Sequence, residues 1–70
     1  MRKTLSELAQ DYYSAAEIVG ERIRERNEKL RLLSPASAAA GKIKAELRVL
    51  YRERADARAI ADHLASYYSA

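Results

Sequence analysis

The chain contains a single proline, and it stands at the midpoint, in Leu33-Ser34-Pro35-Ala36-Ser37. A proline disfavours helical geometry in the residue before it. A helix arriving from the N-terminal side must therefore end near Ser34, and a second element must start after it. Ser34 suits an N-cap, and Pro35 suits a first helical position, where its missing N–H costs nothing. Near the other end, Thr4-Leu5-Ser6-Glu7 reads as a capping box, with the Thr4 hydroxyl accepting from the Glu7 amide and Glu7 reaching back. The sequence thus predicts helices over about 5–33 and 38–68 joined by a turn at 34–37. Starts for the second helix at Pro35 or beyond Gly41 stay open. Each helix would be roughly 40–50 Å long, and residues 1–70 form one domain.

Composition agrees with helices. Of 34 apolar residues, 14 are Ala, 8 Leu, 5 Tyr, 4 Ile, 2 Val and 1 Met. The best helix former dominates and β-branched residues are scarce, which argues against a β protein. The absence of Cys removes disulfide scaffolds, thiolate metal sites and cysteine nucleophiles. In the first helix, Leu5, Leu8, Tyr12, Ala16, Val19, Ile23, Leu30 and Leu33 recur with helical period, with Arg26 and Asn27 filling one polar slot. In the second, Ile43, Leu47, Leu50, Arg54, Ala57, Ala61, Leu64 and Tyr68 alternate by four and three, a heptad seam. A short connection makes the two helices antiparallel neighbours. Folding at the turn pairs Ile23 with Leu47, Tyr12 with Ala57 and Leu8 with Ala61, large against small. It sets Arg54 level with Tyr13, Ala15 and Ala16.

One hairpin of this size buries little, since chains below about 70–80 residues rarely gain more than ~3–5 kcal/mol from a single core. Ile18, Leu32, Val49, Ile60 and Tyr67 lie off the main stripes, and Arg54 occupies a seam position. These six are expected core or dimer contacts, and two hairpins would form a homodimeric four-helix bundle. Arg54 must snorkel or meet a carboxylate such as Glu17, and it would serve to fix register.

Chemistry finds little support. His63 is the only histidine, and one His with nearby Asp56 and Asp62 is too few ligands for zinc. No serine stands in a nucleophile motif, and Gly20 and Gly41 are too far apart to form a phosphate loop. Glu17, Glu21, Glu25 and Glu28 lack the Glu-x-x-His partner of a di-metal bundle. They read as a solvated face with intrahelical pairs Glu21–Arg24 and Glu25–Lys29. The expectation is a non-enzyme without cofactor, metal or small-molecule substrate.

Charge is uneven. Residues 22–48 hold eight Lys/Arg against three acids, a net +5, while 1–20 with 59–70 hold two against four, a net −2. The turn end is basic, and Lys44, Arg48 and Arg52 form a ladder that could contact an acidic partner or phosphates. No apolar run reaches the ~20 residues of a membrane span. Glu7, Gln10 and Asp11 interrupt any signal-peptide core, so a cytoplasmic location is expected.

The stretch from Leu47 to Tyr68, with Tyr51-Arg52-Glu53 at mid-helix and Tyr67-Tyr68 at the end, resembles the second helix of short, uncharacterised helical-hairpin proteins of bacterial prophages and mobile elements. That resemblance implies a bacterial cytoplasmic protein and no catalytic residue. The sequence reading is a small structural or protein-interaction module. Its alternative is a nucleic-acid-binding bundle, similar in outline to hairpin dimers that bind paired RNA.

Overall fold

The computed structural model describes residues 3–67, so the expectations for Tyr68 lie outside the described residues. It consists of two helices, α1 (Leu5–Arg31) and α2 (Ala38–Ser66), packed along their length as an antiparallel hairpin about 50 × 20 × 16 Å. The all-α hairpin expected from the proline and the periodicity is what the chain forms.

Both helices start on hydroxyl caps. Thr4 Oγ1 accepts from the Glu7 amide at 3.0 Å, and the Glu7 carboxylate accepts from the same hydroxyl at 3.2 Å. At α2 the cap is Ser37, whose Oγ accepts from the Ala40 amide at 3.1 Å. Ser34, the expected cap, has another task. Its carbonyl accepts from the Ser37 amide at 3.0 Å and from the Ser37 hydroxyl at 2.8 Å. Pro35 thereby becomes the second residue of a tight turn, a place its fixed φ also suits, and α2 begins at Ala38 instead of Pro35. Gly41 plays no part in that start; its amide already bonds the Ser37 carbonyl at 3.2 Å. α1 ends at Arg31, two residues before the expected Leu33. There Leu32 and Leu33 close onto the Lys29 and Leu30 carbonyls in i→i+3 bonds of 3.1 Å, which tighten the last turn and satisfy carbonyls the helix leaves free.

The buried seam is small-residue rich. Ala9, Ala16, Gly20 and Ile23 of α1 meet Ala40, Leu47 and Ala61 of α2. Ile23 and Leu47 are the only large side chains buried among the described residues. Leu8, Tyr12, Val19, Leu30, Ile43, Leu50, Ala57 and Leu64 are half-buried, as a two-helix layer must leave them.

Side chains meet about one turn further along α2 than folding the chain at its midpoint predicts. Arg26 reaches Glu46, and Tyr13 reaches Asp62. Arg54 lies over Gly20, not beside Tyr13 and Ala15. The cause is the tilt of every Cα–Cβ bond toward its helix N-terminus. On α1 this tilts side chains away from the turn, and on α2 toward it, so contacting residues start from offset levels.

Candidate functional site

The cross-helix contacts define two flanks of the hairpin. On one side Tyr13 Oη donates to Asp62 at 2.5 Å, and Asn27 Nδ2 donates to Tyr51 Oη at 3.2 Å. Between them Glu17, Glu21 and Arg24 of α1 surround Gly20 with Arg54 and Arg58 of α2 in an open depression. On the other side Arg26 Nε donates to Glu46 Oε2 at 2.6 Å. At 100° per residue, the columns that run with this pair toward the chain termini are Leu8, Tyr12, Ala15 and Val19 on α1. On α2 they are Leu50, Glu53, Ala57, Ile60, Leu64 and Tyr67, alternating by three and four. One flank is polar throughout. The other is mainly apolar toward the termini, with Glu53 near its middle and the Arg26–Glu46 pair toward the turn.

This geometry sorts the six residues expected at a core or dimer contact. Ile60 and Tyr67 stand in the apolar column with Val49 at its edge, and they are 42%, 62% and 57% exposed. They are not core within the hairpin, because the seam lies about a third of a turn away. Ile18 faces outward from α1, at 54% exposure, and Leu32 projects from the connection at 78%; neither shares that flank. Arg54 borders the polar flank. Its guanidinium lies 5.3 Å from the centre of the Tyr51 ring, and no carboxylate of the described residues comes within ion-pair distance, so it snorkels over an aromatic face instead of pairing with Glu17.

The ion pairs among the described residues are Lys3–Asp11, Arg26–Glu46 and Arg31–Glu28. The expected Glu21–Arg24 and Glu25–Lys29 pairs do not form, which reflects how little an exposed pair gains. Lys44, Arg48 and Arg52 are exposed on the outer side of α2, and none is ion-paired. Arg48 and Arg52 border a shallow depression with Val49, Glu53 and Asp56.

Two groups titrate away from their ordinary values. The hydrogen bond to Asp62, with some desolvation, raises the Tyr13 phenol. Asp11 raises the Lys3 ammonium, chiefly through their hydrogen bond. Both lie at the terminal end of the hairpin, and neither sits in an enclosed site. His63 is exposed, its ring edge-on to Tyr67 at 5.3 Å. No group of three or more metal-ligating side chains occurs among the described residues. No described helix is long and apolar enough to cross a membrane.

No protein-family model matches the chain, and no curated protein or solved structure matches it either. A functional reading must come from the surface itself.

The sequence pattern marks Val49, Ile60 and Tyr67 as off-stripe apolar positions but does not show that Leu8, Tyr12 and Val19 complete their face. The signal was present in the heptad spacing from Glu46 to Tyr67. Only the Arg26–Glu46 contact says which α1 column lies beside it.

Proposed function

We propose that the chain is a small non-enzymatic interaction module that self-associates through its apolar flank into a four-helix bundle. The observation that carries this reading is the contrast between the flanks. A hairpin stable by itself would have reason to surface both sides alike, and here one side leaves Leu8, Tyr12, Val19, Leu50 and Leu64 half-covered with Ile60 exposed between them. The broad side of the hairpin spans about 50 by 20 Å, and its apolar part approaches the ~800 Å² per partner that a stable interface buries. Association leaves the polar flank and the Lys44, Arg48 and Arg52 ladder outward, where they meet an acidic protein partner.

Light scattering over a concentration series, with circular dichroism on the same samples, tests the association. The expected mass is twice 7.9 kDa with high helicity. Ile60→Glu should yield monomer at concentrations where Arg58→Glu, on the polar flank, stays dimeric. A helical wild-type monomer at every concentration rejects the reading.

The unpaired state of Lys44, Arg48 and Arg52 favours a second reading, a bundle that binds nucleic acid through this ladder. Phosphate contacts would give affinity that falls steeply with salt, with a shallower slope in Lys44→Ala/Arg48→Ala. Absence of duplex DNA or RNA binding at low salt removes it.

A further inference from the structure

The apolar flank carries its ionic groups in an order that selects how a second copy must lie on it. On α1 the cations Arg22 and Arg26 follow Val19 toward the turn; on α2 the acids Glu46 and Glu53 occupy nearly the same levels. The Arg26–Glu46 bond of 2.6 Å fixes this alignment. Arg22 and Glu53 stand within about one helical turn of each other's level, yet neither is ion-paired among the described residues.

Two face-to-face dimers have two-fold symmetry. An axis parallel to the helices lays α1 on the partner subunit's α2 with both turns at one end. An axis across the helices lays α1 on α1 and α2 on α2 with turns at opposite ends. Every helix is antiparallel to its neighbours in both, so helix dipoles do not choose. The side chains do. With turns apart, Glu53 near the middle of α2 faces the same acid of the second copy, and like charges across an interface are costly. With turns together, the α1 cations face the α2 acids, and the apolar terminal stretches overlap completely without stagger.

Resting on the self-association proposed above, we infer that the occupant of the apolar flank is a second copy of this chain in the turns-together orientation. Arg22 of each hairpin pairs with Glu53 across the interface, and Arg26 lies between the two Glu46 carboxylates. The opposing force is repulsion between basic turn ends. It comes chiefly from Lys29 and Lys42, which share the columns of Arg22 and Ile60, whereas Arg24, Arg31, Lys44 and Arg48 lie on the polar flank or beyond it, where salt screens them over about 8 Å.

The chain has no cysteine, so Ser34→Cys, at the exposed turn, accepts a single nitroxide per protomer. Pulsed dipolar spectroscopy should find the two labels within about 30 Å, two thicknesses of 16 Å. A separation near the 50 Å length of the hairpin or beyond overturns the orientation. A charge exchange gives the second readout. Arg22→Glu or Glu53→Arg alone should raise the dimer dissociation constant about tenfold, and the double variant should return it to within about threefold of wild type. Additive losses in the double variant overturn the pairing. A wild-type monomer instead defeats the self-association reading itself, so the two failures are distinguishable.

Discussion

The two flanks of this hairpin are built from the same two helices, with the same three-and-four spacing, and differ in almost everything else. The polar flank is closed by specific bonds, Tyr13 to Asp62 and Asn27 to Tyr51, with Arg54 laid over Gly20 between them. The apolar flank makes one such bond, Arg26 to Glu46, and otherwise presents half-covered aliphatic and aromatic side chains. Water satisfies the first kind of surface. The second keeps apolar area exposed at about 25 cal/mol per Å² until something covers it. The lesson is that a two-helix layer has two outer faces, and its chemistry is decided separately on each.

The largest effect should come from the seam both flanks share. Leu47→Ala removes one of only two large side chains buried among the described residues and should cost about 2–4 kcal/mol, read as a lowered denaturant midpoint. If the loss is below ~1 kcal/mol, the hairpin is not held by its seam and the flanks carry more than supposed.

A smaller effect, of opposite sign, tests the polar flank. A methyl group at position 20 would meet Arg54 Cδ and Nη1 at 4.0 Å, an ordinary contact. Gly20→Ala should therefore stabilise by about 0.5–1 kcal/mol through helix propensity. It should leave the association state unchanged, because the polar flank faces away from any partner on the other side. Destabilisation, or a change in mass, would erase the distinction between the flanks.

The smallest effect is spectroscopic. Asp62 holds the Tyr13 phenol above its usual value near 10. Its raised folded-state value means that the bond stabilises below the unfolded value, and the contribution disappears as pH climbs through the folded one. In an ultraviolet titration of Asp62→Asn, one tyrosine transition should move back down toward pH 10 relative to wild type. An unmoved titration would mean that Tyr13 is not bonded in solution.

Much of the fold was legible beforehand, for local reasons. Thr4 caps α1 as its spacing with Glu7 demands, and Pro35 separates the helices. The error at Ser34 arose because Ser34-Pro35-Ala36-Ser37 contains two serines able to cap, and proline suits both a first helical turn and the second position of a tight turn. Which serine caps depends on a bond between them, not on either residue's preference. The level of Arg54 differs from the one chain folding predicts because folding counts residues, whereas contacts follow the tilt of side chains.

The sequence by itself determined that there are two helices, where their N-terminal caps permit them to begin, and which residues are apolar at helical spacing, since these depend on neighbours within a few positions. Only the tertiary structure decided which columns of α1 and α2 lie side by side. Rotation of each helix about its axis is set by how Ile23, Leu47 and the alanines of the seam fit together, a property of packing between residues distant in the chain. That rotation is what gathers Leu8, Tyr12, Val19, Leu50, Ile60 and Leu64 onto one flank and leaves Ile18 and Leu32 outside it.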